Sequence, residues 1–160
     1  MFIEKTSTEV VTIDEEIKIV GVSLQKSGLP ITFDSLGKLW GVYGSLHRGK
    51  EKNAVTPIIE FAVALNKIPD YIAGYAVTEI NELDDGWLSF VLPKGTYIKN
   101  TFNAETFEKL TGEAMGKTNV KKWAKDNGVK INPEFTIEAY PVESIEGTNF
   151  EMYTLTPVQE

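Results

Sequence analysis

Two short stretches near the C-terminal end carry the residue types from which a binding site can be built. In Phe135-Thr136-Ile137-Glu138-Ala139-Tyr140, successive side chains of an extended chain point to opposite faces, so Glu138 and Tyr140 share one face and Phe135, Ile137 and Ala139 the other. The apolar trio is expected to pack under helices, leaving Glu138 and Tyr140 on the free side. The last strand repeats the arrangement, with Phe150 and Met152 on one face and Glu151, Tyr153 and Leu155 on the other. Two carboxylates and two tyrosines then project from neighbouring strands. Joined by Phe61 and Tyr75 from earlier strands, they would line a cleft whose rings hold a flat or cationic ligand. Half-exposed Tyr and Glu also occur on edge strands that bind nothing, so alternation alone leaves both readings open.

The elements that must position these residues can be read from periodicity and turn signals. Ile17 to Leu24 is rich in branched apolar residues and ends at Lys26-Ser27-Gly28, a strand followed by a turn. Phe33, Leu36, Leu39, Trp40 and Tyr43 recur at helical spacing, predicting an amphipathic helix from Thr32 to about Leu46. Gly37, Gly41 and Gly44 weaken that helix by about 1 kcal/mol each relative to alanine. Ile58 to Leu65 and Tyr71 to Ile80 read as an antiparallel pair across a short turn. Within it Phe61, Val63 and Leu65 share a face, as do Tyr71, Ala73, Tyr75 and Val77.

Asp84-Asp85-Gly86 marks a turn before a strand from Trp87 to Leu92. Pro93-Lys94-Gly95 interrupts the chain, and Thr96 to Phe102 resumes it. Asn103 is placed to cap a helix bearing Phe107, Leu110 and Ala114. Gly116 should bend or break that helix before a second piece with Val120 and Trp123, stopped by Asn127-Gly128. Strands from Phe135 to Val142 and from Phe150 to about Val158 close the chain. Strand, helix, strand, strand therefore occurs twice. The expected fold is α+β, a single domain over residues 1–160, with helices on one face of an antiparallel sheet and a groove on the other.

Composition narrows the function. The 160 residues are 42% hydrophobic and 24% charged, which fits a globular chain with a sizeable core. No apolar run is long enough to span a bilayer, and the start reads as a strand or arm rather than an export signal. The absence of cysteine excludes disulfides and thiol chemistry and fits a cytoplasmic location. A net charge of −7 argues against nucleic acid as a direct partner, since phosphate binding rests on clustered Lys and Arg. Lys121, Lys122 and Lys125 form the densest basic group and read as a solvated helix face. His47, the only histidine, reads as a loop or helix-end residue. No spacing suggests a metal site, a phosphate-cradling loop or a dinucleotide fingerprint, so no cofactor is expected. Met115 and Met152 read as core.

Several segments together resemble the GyrI-like family, which includes effector-binding domains of AraC-type and multidrug-sensing bacterial regulators. These are Ile17-Lys18-Ile19-Val20-Gly21-Val22, the helix with Leu39-Trp40, Leu92-Pro93-Lys94-Gly95-Thr96-Tyr97, and the two closing strands. The resemblance runs from about Ile17 to Val158. It implies a pseudo-twofold pair of β-α-β-β units around a groove for lipophilic, often cationic molecules. It further implies that Glu138 meets the ligand's charge and Tyr153 supplies a ring, with Trp40, Phe61, Tyr75 and Trp123 at other aromatic positions. Glu151 matches a frequent acidic position and is the alternative carboxylate. The function implied is effector or drug sensing, or sequestration, linked to transcription regulation through a separate regulator. Some relatives hydrolyse reactive small molecules in the same groove, and some bind DNA gyrase. A small-molecule hydrolase and a topoisomerase-binding protein are therefore the alternatives.

Overall fold

A computed structural model describes residues 5–30, 32–46, 52–56, 58–67, 69–104, 120–141 and 150–159. Eight strands form one antiparallel sheet: β1 (Lys5–Ile13), β2 (Ile17–Ser23), β3 (Ile59–Leu65), β4 (Asp70–Val77), β5 (Trp87–Leu92), β6 (Gly95–Ala104), β7 (Phe135–Pro141) and β8 (Phe150–Pro157). Two helices accompany it among the described residues, α1 (Phe33–Leu46) and α2 (Val120–Asp126). The strand order is β1-β6-β8-β7-β3-β4-β2-β5. The fold is α+β, as the sequence indicates. About the central β7–β3 pair, β8 and β6 on one side mirror β4 and β2 on the other, but strand order alone does not establish a duplication.

Local chemistry sets the element ends. The Thr32 hydroxyl accepts from the Ser35 amide at 3.4 Å and caps α1, and Asp34 complements the positive end of the helix. Leu36, Leu39, Trp40 and Tyr43 form the inward stripe of α1, and Leu39 and Tyr43 are wholly buried. At the end of α2, Gly128 adopts φ +69°, and the Val129 amide reaches back to the Ala124 carbonyl at 2.8 Å. Gly128 is thus the expected stop, in the left-handed form that glycine tolerates. The helix expected between Asn103 and Gly116 lies almost wholly outside the described residues. Asn103 itself belongs to β6, and its Nδ2 donates to Glu151 Oε2 at 3.2 Å; the helix it is expected to cap lies outside the described residues. His47 and Met115 also lie outside the described residues.

Both faces of the sheet carry apolar residues. Under α1 lie Val20, Val22, Ala62, Ala73, Tyr75, Tyr140 and Met152, while Ile19, Phe61, Val63, Ile72, Phe135, Ile137 and Leu155 form a second core behind the sheet. The sheet curls toward this second core. Phe90 on the terminal strand β5 meets Phe135 on β7 with ring centres 5.0 Å apart, although β3, β4 and β2 lie between them in the sheet. At the centre of the β2–β4 pairing Gly21 faces Gly74. A Cβ on Gly74 would stand 1.9 Å from the Val20 carbonyl oxygen, so the two backbones meet more closely than any side chain allows. No helix among the described residues is long and apolar enough to cross a membrane.

Candidate functional site

Register decides which site residues meet. Directly paired residues of an antiparallel sheet share a face. Glu138 pairs with Ala62 of β3 and with Thr154 of β8, whereas Tyr153 pairs with Ala139. Glu138 and Tyr140 therefore stand on the face that α1 covers, and Phe135, Ile137 and Ala139 lie in the core behind the sheet. This reverses the expected placement of β7. The predicted hollow shared by Glu138 and Tyr153 does not form, because the two side chains leave the sheet on opposite sides.

On the helix face the carboxylate is held by a chain of donors. Tyr140 donates to Glu138 Oε2 at 2.7 Å and Tyr71 donates to the same oxygen at 3.1 Å. The Trp40 indole Nε1 of α1 in turn donates to the Tyr71 hydroxyl at 2.9 Å. Trp40 also stands edge-on to Tyr140, ring centres 5.7 Å apart, and to Tyr43 at 5.8 Å. Tyr75 continues the aromatic wall, 6.3 Å from Tyr43 and 6.3 Å from Trp87. Both hydrogen bonds land on Oε2, and none from a described residue reaches Oε1. Glu60, a second buried carboxylate, pairs with both Tyr75 and Tyr140 on this face.

Burial gives the group its electrostatics. Desolvation pushes the Glu138 carboxyl above the ordinary carboxylate range, and the hydroxyls of Tyr140 and Tyr71 oppose the rise by bonding to the charged form. Both tyrosines are held far above the usual phenol range by burial and then by the neighbouring Glu138 charge, so they act here as donors. An acid that is costly to ionise and has one oxygen without a partner among the described residues suits a guest that brings positive charge or a proton donor.

Small side chains flank it. Across the sheet, Ala73, Ala62, Glu138, Thr154, Asn100 and Thr8 form one row on the helix face, contributed by six adjacent strands. The two alanines, both wholly buried, lie on one side of the carboxylate. On the other, Thr154 and Thr136 contribute to a cavity of about 300 Å³ that reaches Val120 and Lys121 of α2.

The remaining predicted residues go elsewhere. Phe61 and Tyr153 line a cleft of about 610 Å³ at the margin of the opposite face, with Ile17, Ile59, Lys18 and Lys94. A groove therefore does open on the side away from α1, without Glu138. The ring of Tyr153 already carries a cation, Lys99 Nζ, 4.5 Å from its centre. Its hydroxyl pKa is raised by burial and then by the Glu151 charge. Glu151 thus accompanies Tyr153 behind the sheet, away from Tyr140. Trp123 is half-buried on α2, and no described hydrogen bond or ring contact joins it to the Glu138 group. Of the eight predicted residues, the structure gathers Glu138, Tyr140, Trp40 and Tyr75 on one face. Tyr71 is the residue that was missed, although its alternation with Ala73 and Tyr75 already placed it on the tyrosine-bearing face. Among the described residues no group of His, Asp or Glu could hold a metal ion.

With the geometry described, likeness to known proteins becomes informative. A search among curated proteins finds no match. Among solved structures, an integron cassette protein from the mobile metagenome of Vibrio cholerae is similar, at 14% identity and TM-score 0.60 over 95% of each chain. The C-terminal domain of EcmrR superposes with TM-score 0.65 at 16% identity over 99% of each chain. The present chain spans 58% of full EcmrR as seen in its complex with DNA. SAV2435, solved bound to tetraphenylphosphonium, gives TM-score 0.62 at 14% identity, over 96% of this chain and 94% of that one. At these identities the likeness establishes the fold, which is that of the GyrI-like effector-binding domains. Residues 10–154 match the family model described as Cass2, integron-associated effector binding protein, and the chain belongs to that family.

Proposed function

We propose that this chain is a receptor for lipophilic cations, with Glu138 as counter-charge and Trp40, Tyr71, Tyr140, Tyr75 and Tyr43 as the aromatic wall. The observation that carries the reading is the pinned carboxylate: two tyrosyl donors on Oε2, no partner for Oε1 among the described residues, and burial that makes ionisation costly. An arriving cation offsets the desolvation of the charged form while its body stacks on rings, so charge selectivity and tolerance of shape come from different groups. That SAV2435 is seen with tetraphenylphosphonium makes this ion the natural first probe. EcmrR is seen with DNA. We therefore read the binding event as effector or drug sensing, or sequestration, coupled to transcription regulation.

Glu138→Gln tests the reading. It keeps the shape of the site and removes the charge. Calorimetric titration should show a loss of at least tenfold for tetraphenylphosphonium, because hydrogen bonds and pairing to charged groups contribute about 1.5–3 kcal/mol. A neutral aromatic of similar size should bind almost unchanged. Equal loss of both would defeat the proposal. The raised carboxyl also favours a second reading, since a buried glutamate of elevated pKa is suited to general-base hydrolysis. Product formation from an electrophilic substrate, abolished in the same variant, would establish that reading. Saturable binding without product would exclude it for the compound tested.

A further inference from the structure

Two strands from Glu138, on the same row, stands Asn100 of β6. Its pairing with Thr154, which itself pairs with Glu138, makes the three residues neighbours in line across the helix face. Asn100 is wholly buried, and its amide nitrogen Nδ2 makes no hydrogen bond. A buried donor without a partner is rare in folded proteins and calls for an explanation. The side chain is not free to turn away. The Thr8 hydroxyl, on the β1 side, donates to Asn100 Oδ1 and fixes the amide. With Oδ1 facing β1, Nδ2 lies on the side of β8, where Asn100 forms part of the wall of the 300 Å³ cavity with Phe102, Thr136, Thr154, Thr156 and Val120.

We propose that this cavity is a second recognition point of the same binding site, and that Asn100 Nδ2 donates to a hydrogen-bond acceptor on the ligand. The inference rests on the reading of Glu138 as the charge-binding residue and narrows its ligand class. Adjacent strands lie about 4.8 Å apart, so residues two strands apart in one row are separated by about 10 Å. The favoured ligand is then a rigid, largely apolar molecule with a cationic centre at one end. At the other end, about 10 Å away, it carries a carbonyl or ether oxygen. Asn100 is a donor at this point and Thr154 and Thr156 are small and polar, so an acceptor of modest size fits where a second cation does not.

Two biphenyl trimethylammonium probes test this, one with an acetyl group at the far para position and the other with an ethyl group there. The acetyl oxygen lies roughly 11 Å from the ammonium nitrogen, close to the span of the row. Wild-type protein should bind the acetyl probe at least about tenfold tighter, since only that probe satisfies the buried donor. Asn100→Leu should abolish this preference. Asn100→Asp, which keeps size but presents an acceptor, should reverse it, and thermal unfolding of both variants reports whether they fold. Glu138→Gln should weaken both probes alike and leave their ratio intact.

No preference in the wild type, or a preference unchanged in both Asn100 variants, overturns the proposal while leaving Glu138's role standing. An Asn100-dependent preference combined with indifference to Glu138→Gln sinks the counter-charge reading, and with it the span of about 10 Å, but keeps Asn100 as a donor to the ligand. Failure of the wild type to bind either probe sinks both.

Discussion

Tyr140→Phe isolates one hydrogen bond in the site. The ring stays, and with it the edge contact to Trp40 at 5.7 Å. What is lost is the 2.7 Å bond from the hydroxyl to Glu138 Oε2, a length typical of a donor on a charged oxygen. Such a bond stabilises the ionised carboxylate by about 1.5–3 kcal/mol. Removing it should lower the share of Glu138 available to a cation about tenfold or more at any pH where the group is mostly protonated. The loss should shrink as the pH rises and ionisation is restored. Tyr71→Phe removes a longer bond, 3.1 Å, and should cost less. The assay is titration of tetraphenylphosphonium and of a neutral aromatic at several pH values, with both single variants beside the wild type. Cation affinity that is unaltered at every pH would refute the reasoning. So would an equal loss for the neutral compound, because the effect would then belong to the wall and not to the carboxylate.

The same carboxyl should leave a signature in stability. Its folded pKa is raised by burial above the ordinary 4.5, so the folded state holds a proton that the unfolded chain releases. That contribution is full below the unfolded value and is lost as pH rises through the folded one. Urea unfolding over this window should show wild-type stability falling relative to Glu138→Gln, and parallel curves would contradict the assignment. Glycine positions separate packing from propensity. Gly74→Ala forces a methyl against the Val20 carbonyl and should destabilise by about 3 kcal/mol or more. Gly41→Ala on α1, with open space around the new carbon, should stabilise by about 0.5–1 kcal/mol in the same unfolding measurement.

Much of this fold is legible in the residues. The branched runs of β2 and β3, the 36-39-40-43 stripe of α1 and the glycines at 86 and 128 mark their elements correctly, because each rests on local geometry. Alternation also pairs Glu138 with Tyr140, and Tyr71 with Tyr75. It cannot say which face the helix takes. β4 is buried along its whole length, and β7 offers Phe135, Ile137 and Ala139 on one side and Thr136, Glu138 and Tyr140 on the other, so either face could meet α1. Nor does alternation fix register between strands. A shift of one residue in the β7–β8 pairing would place Tyr153 opposite Glu138 in place of Ala139. The connection from 142 to 149 carries no turn signal tight enough to prevent it. Tyr153 and Glu151 lie on the side away from α1, as expected, but Glu138 and Tyr140 turn toward α1, so the expected meeting of Glu138 with Tyr153 fails. Asn103 shows a related limit: its side chain reads as a cap, while cross-strand pairing with Glu151 makes it part of β6, which local sequence does not reveal.

Fastening Glu138 through a single oxygen has a consequence for how guests share the protein. The negative pole sits at one fixed spot and faces one direction, however widely the surrounding rings accept different bodies. If Glu138 is the counter-charge proposed above, two cations of unrelated shape would both bring their charge there, so each would exclude the other even with the rest of each molecule on a different ring. On that reading, chemical variety among ligands should come with strict mutual exclusion, one occupant at a time.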